Sequence, residues 1–118
     1  VEQVLYPALP DAPGHALWKR DFTGACGLFA VQLRPMAEQA VTAMLDGMNL
    51  FGMGFSWGGF ESLILLTNPG KDRTAKPWQG RGPLLRLHIG LENPEDLIAD
   101  LEAGFERMRR ELGAVCAK

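Results

Sequence analysis

Ser56, Asp72 and His88 stand in the chain order of an acyl-transfer triad, with Ser56 at the centre of Gly54-Phe55-Ser56-Trp57-Gly58. A nucleophilic serine of that kind needs a sharp turn from a strand into a helix, which lifts its Oγ clear of the backbone. Leu63–Leu66 follows instead, an apolar run of strand length with no polar face, so the GxSxG spacing reads as coincidence. The wider stretch Phe55–Leu63, FSWGGFESL, still has the composition of a site. Gly58 and Gly59 let the backbone take positive φ and approach a ligand closely, although a plain tight turn asks for glycine too. Arg86 and His88 sit two residues apart downstream, and both have ordinary readings as strand residues facing solvent. Trp57 and Trp78 are core or interface candidates before they are ligand-stacking ones.

These residues depend on elements that the periodicity outlines. Leu84–Leu91 alternates strictly, with Leu85, Leu87, Ile89 and Leu91 on one side and Leu84, Arg86, His88 and Gly90 on the other, so Arg86 and His88 share a strand face. Gly27–Leu33 and Ser62–Thr67 read as two more strands and Val1–Tyr6 as a first, closed by Pro7. His15–Phe22 is a short helix, and Pro35–Leu45 a stronger one, with Pro35 in its first turn and Gly47 at its end. The last helix starts at the N-cap Asn93 with Pro94, Glu95 and Asp96 behind it. Its stripe is Leu97, Leu101, Phe105, Met108 and Leu112. It is expected to stop at Gly113, with Arg107, Arg109 and Arg110 at the negative end of its dipole. Lys71–Pro83, rich in proline and glycine, is a long surface loop carrying Trp78. The order strand, helix, strand, helix, two strands, helix predicts an α+β fold. A mostly antiparallel sheet of about four strands would have helices packed on one face.

The totals narrow the classes of function. The 118 residues make one domain, and a net charge of −2 without a basic block excludes the usual footprint of a nucleic-acid binder. No apolar run reaches the roughly 20 residues that span a bilayer, and no basic segment leads an apolar one at the start, so a cytoplasmic address is expected. Cys26 and Cys116, far apart and outside any CxxC spacing, read as reduced thiols, and no metal is indicated. The chain opens in the apolar Val1–Pro7 without an initiator methionine, as expected of a piece of something longer.

FSWGGFESL, GPLLRLHIGLENPEDLIADLEAGFERM at Gly82–Met108 and HALWKRDFTGACGLF at His15–Phe29 together resemble the C-terminal part of the pyridoxal-phosphate-dependent enzymes of cysteine and methionine metabolism. The resemblance implies that residues 1–118 are a small C-terminal domain following a large cofactor domain. It implies that Arg86 holds the substrate α-carboxylate, that Ser56 helps to position it and that Trp57 forms a wall of the site. A planar guanidinium suits that task, because it grips a carboxylate through two parallel charge-assisted bonds and so fixes its orientation. Trp57 is similar to the β-lyase form, where many relatives with γ-synthase or γ-lyase activity carry leucine. The implied reaction is β-elimination from a thioether amino acid such as cystathionine, giving homocysteine, pyruvate and ammonia. The Schiff-base lysine, the phosphate-cradling glycine segment and the acid facing the pyridine nitrogen have no counterpart here. Pyridoxal 5′-phosphate is therefore expected on the missing domain, and no catalytic or cofactor-binding residue on this chain. Its expected partners are that N-terminal domain, a small amino-acid substrate and the other subunits of a homotetramer. A stand-alone ligand-binding or interaction module is the alternative that the short length alone favours.

Overall fold

Four strands form one sheet in the order β1-β2-β4-β3, with every neighbouring pair antiparallel. They are β1 (Gln3–Leu5), β2 (Leu28–Gln32), β3 (Leu63–Thr67) and β4 (Leu84–His88). The helices α1 (His15–Asp21), α2 (Glu38–Leu45) and α3 (Pro94–Cys116) follow β1, β2 and β4 respectively, which is the expected α+β order. The structure, a computed structural model, describes the backbone of residues 1–116 and the side chains of residues 1–114. The Cys116 thiol and Lys118 lie outside the described residues.

Period-two alternation sorts the sheet into two unlike faces. Val31 pairs with Leu85, and Phe29 and Ile64 flank Leu87 one step along; this side packs with Val41 and Met44 of α2 and Leu97 and Met108 of α3 into the core. The opposite side carries Ala30, Arg86 and Leu65 as one cross-strand row, with Leu28, His88 and Leu63 as the next. Only α2 and α3 cover the apolar face, since α1 buries none of its residues. Truncating a fully buried core residue such as Leu85 to alanine costs about 2–5 kcal/mol in a core of this kind.

Several element boundaries differ from the sequence reading, each for a local reason. β1 is three residues rather than Val1–Tyr6. Helix α2 begins at Glu38 and not at Pro35, because Ala37 is extended (φ −64°, ψ 138°), and the lead-in uses Met36 to pack on the core instead of starting a turn. Strand β4 ends at His88, so Leu91 does not join the core face and is 86 % exposed. Beyond His88 the Gly90 amide turns to Ser62 Oγ and the Leu91 amide to Phe60 O, at 2.8 Å each.

Asn93 does accept from the Glu95 amide at 2.9 Å, as an N-cap should, but α3 runs through Gly113 to Cys116. Arg107, Arg109 and Arg110 therefore do not occupy its last turn. Arg109 and Arg110 pair with Glu106, while Arg107 reaches across to the end of α2. There its Nε donates to Ala43 O at 3.3 Å and its Nη2 to Met44 O at 3.2 Å, so it satisfies the carbonyls of another helix and meets that helix's negative end. Gly47 does not terminate α2 through a positive φ; it is glycine because the Arg107 guanidinium lies where a Cβ would stand.

Candidate functional site

Arg86 is the centre of the polar sheet face. Its backbone is fixed between β2 and β3, and the small Ala30 beside it leaves room for its side chain. The guanidinium turns toward the segment before β3, where Nη2 donates to Phe55 O at 2.7 Å, Gly54 O at 3.2 Å and Ser56 O at 3.3 Å. Its Nε is buried and has no hydrogen-bond partner among the described residues. An unmatched buried donor on a charged group is costly, by roughly 1–3 kcal/mol or more, and rare enough to call for a reason.

His88 lies on the same face, one row along, and is 7 % exposed. Its Nε2 is 3.0 Å from Gly59 O, and the Gly58 amide nitrogen is 3.2 Å from Nε2 and 3.4 Å from Nδ1. The FSWGG segment is thus held at both ends by side chains of β4. At the His88 hold, Gly58 has φ +83°, a backbone state that a residue with a Cβ adopts only under strain, so this glycine is required by the turn itself.

Ser56 and Trp57 ride on that turn. Ser56 is exposed, and its carbonyl rather than its hydroxyl is what Arg86 holds among the described residues. Trp57 is 65 % exposed, and Met53, Phe55 and Phe60 of the same segment are also largely exposed. Arg86, Ser56 and Trp57 are therefore brought together. Asp72 is not part of the arrangement: it follows a short 3-10 turn, Pro69–Lys71, on the β3–β4 connection. Ser56 leads through a loop into β3 with no helix after it, and the His88 ring is engaged by glycine backbone. The acyl-transfer geometry is absent.

Two further residues support the turn, and reading the sequence did not single them out. Ser62, fully buried, donates from Oγ to Glu92 Oε2 at 2.7 Å and accepts from the Gly90 amide at 2.8 Å, while its own amide donates to Glu92 Oε1 at 2.7 Å. The Ser62 amide, then its hydroxyl, hold the Glu92 carboxyl below its usual range, and His88 adds to the effect. This clamp ties the start of β3 to the link between β4 and α3, so the turn before it enters the sheet at a fixed point. Both residues lie inside the quoted motifs, in FESL and GLEN, and that was the available signal.

Asp100 performs the same service from α3. It is 6 % exposed and accepts from the amides of Asn49, Leu50 and Phe51 at 2.8–3.3 Å. Burial pushes its carboxyl up, yet the three backbone donors and Arg107 outweigh that, and the net direction is down. The segment leading to the turn is therefore anchored as well, and Gly52 bridges to Leu63 in parallel sense.

Free donors with positive charge suit a carboxylate, and the donor set here fits that part of an amino acid better than it fits a cofactor ring. The described lysines, Lys19, Lys71 and Lys76, are exposed on α1 and the β3–β4 connection. Among the described residues no three His, Cys, Asp or Glu side chains converge as a metal site, and no helix is long and apolar enough to cross a membrane.

The chain is 50 % identical over 112 residues to a cystathionine beta-lyase from Salmonella typhimurium, which covers 92 % of this chain and 28 % of that protein. It is 51 % identical over 108 residues to a cystathionine beta-lyase from Bordetella avium, covering 91 % of this chain and 27 % of the relative. Its fold superimposes with a TM-score of 0.76 on cystathionine gamma synthase from Xanthomonas oryzae pv. oryzae, solved in complex with cystathionine; identity is 38 %, covering 93 % of this chain and 30 % of that one. The chain thus spans a little over a quarter of the length of the curated relatives it matches. Residues 1–106 match the family described as Cys/Met metabolism PLP-dependent enzyme, and the chain belongs to that family.

Proposed function

We propose that residues 1–118 are the C-terminal domain of a pyridoxal-phosphate-dependent carbon–sulfur lyase of the cystathionine β-lyase kind, and that this domain supplies the site for the substrate α-carboxylate. The observation that carries the reading is the Arg86 guanidinium itself, on the sheet face turned away from the domain's own core and bonded through Nη2 alone to this chain's carbonyls among the described residues. A carboxylate is the acceptor that matches it, being anionic and able to take two parallel N–H bonds from one guanidinium. Identity near 50 % to cystathionine beta-lyases supports the choice of lyase.

In this reading the chain's own contribution is orientation. Arg86 grips the α-carboxylate, the Ser56 end of the turn limits how it tilts, and Trp57 walls the side-chain end of the substrate. Fixing one end of an amino acid in this way decides which bond at Cα faces the reacting centre, and misplacement by about 1 Å costs on the order of 100-fold in rate. Pyridoxal phosphate, bound through residues of the large domain, supplies the electron sink for breaking the Cα–H and Cβ–S bonds. The exposed Met53, Phe55, Trp57 and Phe60, on the segment whose carbonyls the guanidinium holds, suit a surface that meets that domain. By itself the chain should turn over no substrate.

Arg86→Ala and Arg86→Lys in the complete enzyme test the reading. Losing one partner of a charge pair in a water-excluded cleft costs about 2–5 kcal/mol, so Arg86→Ala should lower kcat/KM by roughly 30- to several-thousand-fold. Lysine keeps the charge without the fork and should recover only a small part. Cofactor absorbance should persist in both. Near-normal kcat/KM in Arg86→Ala would make Arg86 an ordinary strand residue.

A further inference from the structure

Two residues of β4 hold the FSWGG turn, and the carboxylate reading accounts for only one of them. Arg86 holds the carbonyls of residues 54–56, and His88 holds Gly58 and Gly59. Ser56 is the last residue of the first hold, and Trp57 lies between the two. Trp57 is largely exposed, so packing of its own ring on this domain does not set where it stands; the position of its backbone does.

The His88 ring meets both glycines at once. Nε2 lies 3.0 Å from the Gly59 carbonyl, which has only lone pairs to offer, so this nitrogen donates. The Gly58 amide nitrogen, 3.2 Å from Nε2 and 3.4 Å from Nδ1, is nearly equidistant from the two ring nitrogens, so it meets the ring between them rather than along either in-plane lone pair. A proton on Nε2 meets the Gly59 carbonyl, and the ring is thereby held against one glycine pair. The pair also contains the positive-φ residue of the turn, Gly58 at φ +83°.

We propose that His88 is a positioning residue for the substrate site: by pinning Gly58 and Gly59 it sets where Ser56 and Trp57 stand against the substrate. The inference rests on the reading that Ser56 and Trp57 line that site. His88 and Arg86 then act as a pair from alternate positions of one strand, one fixing the far end of the turn and the other its near end and the carboxylate. The 86–88 spacing on β4 is what lets a single strand do both.

The test uses the complete enzyme and two substitutions of His88. His88→Leu keeps bulk and removes both contacts; His88→Gln keeps one donor and one acceptor on a flexible stem. With His88→Leu, kcat/KM should fall about 10- to 100-fold, chiefly through KM, with cofactor absorbance unchanged. Backbone amide exchange across residues 56–60 should quicken at least tenfold. His88→Gln should recover most of both. If His88→Leu does not assemble, Gly58→Ala loosens the same turn without touching the histidine and should reproduce the KM effect. Faster exchange with unchanged kcat/KM would overturn the proposal, and so would unchanged exchange in His88→Leu. The carboxylate reading fails separately, through near-normal activity of Arg86→Ala, and amide exchange would then still report whether His88 holds the turn.

Discussion

At the scale of single residues, the proposed site gives Arg86 the substrate carboxylate and Trp57 the surroundings. Arg86 bonds this chain's carbonyls through Nη2 alone among the described residues; Trp57 has an exposed ring on a turn whose backbone is held on both sides. Trp57→Leu in the complete enzyme should therefore leave the turn intact while widening the substrate's side-chain end. The expected result is a changed ratio of β- to γ-elimination products, or a changed preference among thioethers, measured across several substrates. An unchanged product profile would remove Trp57 from the wall of the site. Arg86 was legible in the sequence because strict alternation from Leu84 onward fixes which side chains leave the core. His88 was legible only as its neighbour on that face. Its partners are backbone groups of Gly58 and Gly59, and backbone groups have no sequence signature.

At the scale of elements, carboxylates on or next to α3 hold loops that carry no regular structure. Asp100 gathers the amides of residues 49–51, and Glu92 gathers Ser62. Asp100→Ala leaves three amide donors without their acceptor and should cost about 3 kcal/mol in thermal or denaturant unfolding. Asp100→Asn keeps the shape without the charge and should cost less. The pH dependence has a definite sign. The folded carboxyl titrates below its unfolded value, near 3.9, so its contribution is complete above that value and is lost as pH falls through the lower folded one. The stability gap between wild type and Asp100→Asn should be flat from neutral pH to about pH 5 and close below about pH 4. A gap that widened on acidification would contradict the role. Helix starts and periodic stripes were readable because they are local. The end of α3 was not, because Gly113 costs a helix only about 1 kcal/mol and tertiary context overrides it. Nor was the reach of Arg107 to α2, a contact between elements more than 60 residues apart in sequence.

At the scale of the whole molecule, one face of the sheet is closed by α2 and α3 while the other carries Arg86, and the segment that Arg86 holds exposes a rim of rings, Phe55, Trp57 and Phe60. If that rim meets the large domain, Phe55→Ser with Phe60→Ser should lower the stability and turnover of the complete enzyme. The same pair should leave thermal unfolding of the chain by itself within about 0.5 kcal/mol of wild type, as for surface changes generally. An equal effect on both would mean that the rings serve this domain alone. The central claim, that Arg86 is there for an α-carboxylate, is tested most directly by deleting each partner in turn. Arg86→Ala and wild type would each be assayed in the complete enzyme with a thioether amino acid and with the corresponding amine lacking the carboxylate. Binding and turnover of the amine should be nearly the same in the two proteins, within about threefold, while the amino acid loses roughly 30-fold or more on substitution. An equal loss for both substrates would show that Arg86 acts on something other than the carboxylate.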